Sequence, residues 1–239
     1  MQESKHQSIS EFSQDSSRDL SHWQPRPAPA TLTLRGRYVT LEPLHASHAD
    51  PLWEAVHAHN DVFAFLSNGP FANETVMMEW LERWRHAEKA ILFAILPVET
   101  GRAAGWASYL RAVPQHGVIE VGNILFSPEL QRTRAATESM YLMARHVFDT
   151  LGYRRYEWKC NVENHASRRA AERLGFSFEG IFRQHMVLKG HNRDTAWHSM
   201  LDREWPARKR ALEAWLDPEN FDSDGFQRLS LGQFLTESV

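Results

Sequence analysis

Apolar residues along this chain fall into short blocks of two different periods. Residues 32–41 (Leu-Thr-Leu-Arg-Gly-Arg-Tyr-Val-Thr-Leu) alternate on either side of Gly36, which predicts two short strands or one bent strand. Residues 48–59 and 73–89 carry the helical period; Val76, Trp80, Leu81 and Trp84 mark the apolar face of the second. Residues 91–98, 105–112 and 118–126 read as strands, and Glu99-Thr100-Gly101-Arg102 supplies a hairpin loop between the first two. A long helix is predicted over 134–151, closed by Gly152, then a strand over 155–162. A short helix over 164–174 is closed by Gly175. Two strands, 176–187 and 195–201, follow with a polar turn around Lys189-Gly190-His191-Asn192 between them, and 204–216 reads as a terminal helix.

The resulting order is β-α-α-β-β-β-α-β-α-β-β-α. Helices interrupting a mostly antiparallel sheet, with one βαβ crossover at its centre, define an α+β fold. The ends break the pattern. Residues 1–30 are rich in Ser, Gln, Asp, His and Pro, with too few apolar side chains to offset the entropy of ordering. They are expected to form a disordered N-terminal tail whose Pro25-Arg26-Pro27-Ala28-Pro29 stretch is a stiff extended linker. Residues 31–216 are expected to form one domain, and residues 217–239 a loosely attached C-terminal tail.

Composition narrows the function classes. The formal net charge is -3, so no global cationic field recruits nucleic acid or an anionic membrane. Cys160 is the single cysteine, which rules out an internal disulfide and fits a reducing compartment. The first thirty residues lack the apolar stretch of an export signal. The longest strongly apolar run, 91–98, is far short of the ~20 residues that span a bilayer. A cytoplasmic protein is therefore expected. His45, His48, His57 and His59 fall near one helix, but without cysteine partners or an HExxH spacing no metal site is expected.

The chemistry concentrates after residue 118. The apolar strand 118–126 runs through Ser127-Pro128 into a turn that opens the long helix. A helix start presents unpaired N–H groups and partial positive charge, a setting suited to a pyrophosphate. Arg132 and Arg134 add cations there, and Ala135 and Ala136 leave room for close approach. This segment resembles the acetyl-coenzyme A motif of the GNAT superfamily, Arg/Gln-x-x-Gly-x-Gly/Ala, with Gln131 and Ala136 at its ends. Arg134 stands where that family has Gly. Since a non-Gly residue is disfavoured at positive φ, the loop is expected to reach the phosphates with ordinary dihedrals. A second segment, Asn164 to Phe176, resembles the Asn-x-x-Ser-x-x-x-x-x-x-Leu-Gly-Phe pattern of the branch related to ribosomal-protein N-terminal acetyltransferases. Glu179-Gly180 and the strand pair up to Leu201 also match that branch.

The resemblance implies a GNAT-like mixed sheet with helices on both faces and a splayed central strand pair, 118–126 against 155–162. It implies that backbone groups of Ile124 and Phe126 hold the pantetheine arm and that an N–H near Leu125 polarises the acetyl carbonyl. Gln131, Arg132, Thr133, Arg134, Ala135, Ala136 and Thr137 would hold the pyrophosphate, and Asn164 the pantetheine. Ser167 would protonate the departing thiolate, a step many members give to a Tyr that this helix lacks.

Only a neutral amine attacks a thioester, and an α-amine has a pKa of roughly 7.7–8.0, a lysine about 10.4. A base is needed. Glu120 is the first choice because it interrupts an apolar strand, where a charge is costly unless it faces a cleft or a partner. Glu157 is the rival. The plainer readings are an exposed strand-end Glu120, an Asn164 that only caps its helix, a Trp80/Trp84 pair in the core and an inert buried Cys160.

The expected activity is transfer of acetyl from acetyl-CoA to a primary amine, on a small molecule or a protein N-terminus, by direct attack in a ternary complex. A non-catalytic acyl-CoA sensor on the same fold is the alternative, and an adaptor working through the Trp-rich helix a third. A monomer or homodimer fits equally.

Overall fold

The computed structural model describes residues 19–237, so residues 1–18 of the segment read as a tail lie outside it. Eight strands form one sheet. The first three are β1 (Leu34–Arg35), β2 (Val39–Pro43) and β3 (Ile91–Pro97); between the last two lie helices α1 (Ala49–Val56) and α2 (Glu74–Ala87). Then come β4 (Gly105–Val113), β5 (Val118–Phe126), helix α3 (Arg134–Arg145), β6 (Arg155–Asn161) and helix α4 (His165–Arg173). A hairpin of β7 (Ser177–Leu188) and β8 (His191–Leu201) leads to α5 (Trp205–Leu216) and α6 (Leu231–Glu237). The spatial order is β1-β2-β3-β4-β5-β6-β8-β7. The single parallel neighbours are β5 and β6, joined through α3, as the predicted crossover requires.

The period-two pattern of the strands sends side chains into two cores. Phe93 and Ile95 of β3 join α3 and α5 on one face, while Leu92 and Ala94 meet α1 and α2 on the other. Helices thus cover both faces. Helix α3 is buried along nearly its whole length and continues as a π-helical turn, His146–Thr150, to Gly152 at φ +66.

Glu138 of α3 turns its carboxylate under the β1–β2 turn and accepts the N–H groups of Arg37, Tyr38 and Val39 at 2.9, 2.6 and 3.0 Å. Gly36 is required at that turn, since a Cβ there would meet the carboxylate at 2.4 Å.

Two expectations change in detail. The last hairpin turns on Lys189 and Gly190, both at positive φ, with Leu188 directly opposite His191. His191 and Asn192 therefore belong to β8, because a two-residue turn of this hand matches strand twist. At the chain ends, sparse anchors hold what composition alone reads as tail. The Trp23 indole donates to the Gln115 carbonyl (2.8 Å) and the Tyr153 hydroxyl to that of Pro27 (3.0 Å). Beyond α5, Asn220 donates to the carbonyls of Trp215 and Leu229, Phe221 meets the Trp215 ring edge-on, and Leu231 is buried.

Candidate active site

Strands β5 and β6 pair only as far as Val121 and Trp158. Beyond that point they part, and the gap becomes a cleft of about 180 Å³. At the parting, Asn123 takes φ +47, and Asn123 and Ile124 together stand opposite the single Ala107 of β4. This bulge takes backbone out of the regular ladder beside the cleft. Gly122 leaves space for it, since a Cβ there would sit 2.7 Å from Leu110 and 3.1 Å from the Glu120 carboxylate.

Arg111, Glu120 and Lys159 line the cleft and belong to a chain of alternating charges that runs on behind it through Glu157, which does not line it. Glu120 and Glu157 are register partners on β5 and β6, so like charges lie side by side. Lys159 resolves the conflict. Its ammonium lies 3.0 Å from Glu120 and 2.8 Å from Glu157, with 7% of the side chain exposed. It also sits 3.7 Å from the centre of the Trp197 ring. Arg111 closes one end, 2.7 Å from Glu120. Arg155 continues the other, to Glu157 at 2.7 Å and through two bonds to Glu179. Burial raises the Glu179 carboxyl, but hydrogen bonds from Arg155 and Ser199 outweigh it and hold the group below its ordinary range. Glu120 is thus neither exposed nor at a strand end.

The start of α3 follows β5 in the chain, but none of residues 131–137 lines the cleft. Thr133 caps the helix, accepting the Ala136 N–H at 3.1 Å. Helix geometry leaves the Arg134 and Ala135 amides without an intrahelical acceptor. Gln131 and Arg132 are exposed, Arg134 half-buried, Ala135, Ala136 and Thr137 buried. The expectation of ordinary dihedrals is corrected here. Arg132 has φ +62, whereas Arg134, at the family's Gly position, is the first helical residue. The left-handed turn falls two residues earlier, just ahead of the cap. The Arg134 guanidinium stacks between the rings of Tyr38 (4.8 Å) and Phe221 (4.7 Å). Gln131 donates its side-chain amide to the Phe126 carbonyl.

Helix α4 brings the remaining expected residues to the cleft wall. Asn164 caps it, accepting the Ser167 N–H at 3.0 Å, and both residues line the cleft with Ile124. The Ser167 hydroxyl oxygen accepts from the Trp158 indole at 2.9 Å. Cys160 also lines the cleft. Burial pushes its thiol up, so it stays protonated. Leu125 is buried on the α2 side of β5, and Phe126 is half-buried.

Sequence reasoning missed the opposite wall. Phe65, Leu66 and Ser67 of the loop after α1, Trp84 of α2, and His185 and Arg193 of the last hairpin line the cleft. His185 reaches it because β7 bulges between Phe182 and Met186, with Gln184 at φ +51. The His185 imidazole and the Thr195 hydroxyl are 2.9 Å apart. The Lys189 ammonium at the hairpin tip donates to the Phe63 carbonyl at 2.8 Å and ties the two sides of the mouth together. Among the described residues, Arg193 has no hydrogen-bond or ion-pair partner, and its Nε is buried. Burial pulls the guanidinium below its usual range, with Cys160 and Glu120 partly opposing. No group of His, Cys, Asp and Glu among the described residues is arranged to hold a metal ion. No helix among them is long and apolar enough to cross a membrane.

Comparison with known proteins agrees with this geometry. The family model for an acetyltransferase (GNAT) domain matches residues 39–177. A GCN5-related N-acetyltransferase from Brucella melitensis is 50% identical, with a TM-score of 0.88 over 91% of this chain and 100% of its own. A probable acetyltransferase of the GNAT family from Chromobacterium violaceum is 39% identical, with a TM-score of 0.75 over 80% of this chain and 96% of its own. The microcin C7 self-immunity acetyltransferase MccE, solved with acetyl-CoA and AMP, shares the fold at 20% identity and a TM-score of 0.62, covering 70% of this chain and 93% of its own. No curated protein matches the chain in sequence.

Proposed function

The chain belongs to the GNAT acetyltransferase family, and on that premise we propose that it moves acetyl from acetyl-CoA to a primary amine by direct attack in a ternary complex. The observation that carries this reading is the parting of β5 from β6, which opens a cleft lined by Glu120, Ile124, Asn164 and Ser167 together. Acetyl-CoA supplies the activated acyl group. The start of α3, from Gln131 to Thr137, receives its pyrophosphate through first-turn amides and the flanking arginines. Backbone groups of Ile124 and Phe126, with Asn164, align the pantetheine.

In this reading Glu120 removes a proton from the acceptor ammonium, directly or through a water. The amine nitrogen then attacks the thioester carbonyl, and an N–H near Leu125 stabilises the negative oxygen that forms. Supporting that role is the strand bulge at Asn123 and Ile124, one residue away. Collapse breaks the carbon–sulfur bond; Ser167 gives its proton to the departing thiolate and is reprotonated by the second proton that the nitrogen sheds as the amide forms. The Trp158 indole on the Ser167 oxygen supports this polarity, since a donor at that oxygen turns the hydroxyl proton away from Trp158. The acceptor is a small amine or the α-amine of a polypeptide.

The test is titration calorimetry with acetyl-CoA, followed by thiol-release assays over a panel of amines and peptide N-termini. Micromolar binding and acceptor-dependent thiol release are expected. No heat of binding at millimolar acetyl-CoA would defeat the reading.

A further inference from the structure

Three cations line the cleft, and they differ in how well they are matched. Arg111 has Glu120 at 2.7 Å, and Lys159 lies between Glu120 and Glu157. Arg193 has no such partner among the described residues, although its Nε is out of contact with solvent. A half-buried guanidinium with a buried, unpaired Nε is poorly matched, because Arg carries its charge at every accessible pH and its five donors fit a carboxylate or phosphate. Residue 193 sits on β8 directly beyond the β7 bulge, opposite Met186, and faces the same cleft as Glu120. Glu120 partly opposes the burial that pulls the Arg193 guanidinium down. Within one cleft there are thus a carboxylate at the candidate proton-accepting position and an unmatched cation.

Resting on the acetyltransferase reading above, we propose that the acceptor is a zwitterion: an amine that carries a carboxylate or phosphate within a few atoms, its ammonium set against Glu120 and its anion on Arg193. The anion gives the Arg193 donors the acceptors that the protein withholds. The amine then lies on the Glu120 side, where deprotonation is needed. A neutral amine gains only half of this pairing.

The test uses the full chain and acceptors matched except for the anion: glycine against glycinamide, 2-aminoethyl phosphate against ethanolamine, and peptides with Asp or Asn at the second position. The three pairs separate free amino acids, amino phosphates and acidic N-termini as sources of the same chemistry. At least one pair is expected to favour its anionic member by about ten- to a hundredfold in kcat/KM, the scale of a charged hydrogen bond. Arg193→Ala should erase that preference by raising KM for the anionic member alone, leaving the acetyl-CoA dissociation constant and turnover of the neutral member unchanged. Arg193→Lys should keep part of it. Equal use of both members by the wild type overturns the proposal even if Arg193→Ala fails to fold. Weaker acetyl-CoA binding in Arg193→Ala or Arg193→Lys overturns it too, by placing the residue on the co-substrate. Acetyl-CoA binding with unselective turnover sinks this inference alone. Absence of both binding and turnover sinks the acetyltransferase reading and this one with it.

Discussion

Replacing Lys159 by Met is the sharpest probe of this chain of charges. The ammonium touches two carboxylates that strand register holds side by side, and it is almost wholly buried. Removing one partner from a buried ion pair costs about 3–5 kcal/mol. The lower end applies here, because Glu120 keeps Arg111 and Glu157 keeps Arg155. Loss of the Trp197 contact adds ~0.5–1 kcal/mol, and the apolar Met stem returns a similar amount. The net loss is therefore about 3 kcal/mol. With a urea m-value of about 3 kcal/mol/M, the unfolding midpoint at pH 7 should fall by about 1 M at unchanged m. Urea titration followed by tryptophan fluorescence measures this. The double variant Lys159→Met with Glu157→Gln should recover roughly a third or more of the loss, because one of the facing charges has gone. A single-variant loss below about 1 kcal/mol would mean that water already screens these charges, and the idea of a dry chain of alternating charges would be refuted.

Further outcomes follow from other contacts. Glu120→Gln should cut kcat at pH 7 by about a hundredfold or more. It should recover partly toward pH 10, where the amine is already neutral; a full-rate variant at pH 7 would remove Glu120 from the chemistry. Asn164→Ala loses the cap on Ser167, so thermal unfolding should show a loss of about 1 kcal/mol and calorimetry a weaker acetyl-CoA interaction. Unaltered affinity would leave Asn164 a cap only. Glu179 is held below its ordinary range in the fold, so its contribution is present above the unfolded-state pKa and lost as pH falls through the folded value. Glu179→Gln should flatten the stability profile below about pH 5, measured by circular dichroism. An unchanged acid limb would show that other carboxylates govern it.

What could be read beforehand follows from how local each signal is. The strand to Phe126, the helix after Pro128 and the Asn164–Gly175 helix each announce themselves within a dozen residues, through alternation, caps and a closing glycine. Glu120, Ile124, Asn164 and Ser167, which line the cleft, come from the first and third of these segments. Lys159 was not legible, because its meaning depends on Glu157 lying beside Glu120, a parallel pairing of residues 37 positions apart. Arg193 and His185 were hidden for a related reason. Which face of the last hairpin they occupy depends on a bulge that shifts the pairing between Phe182 and Met186. The Glu138 carboxylate reads as one more polar residue of a helix, and its three amide donors come from a turn about a hundred residues earlier. The C-terminal stretch looked loose because Phe221 and Leu231 are isolated anchors rather than a periodic face.

The tie between the Lys189 ammonium and the Phe63 carbonyl joins two segments that lie outside the central ladder from β2 to β6. The rim of the gap is therefore an interchangeable mouthpiece on a fixed stem. Insertions or replacements in either segment can reshape what enters while the ladder from β2 to β6 keeps its register, so descendants of one ancestor can drift to new acceptors without relearning how to fold.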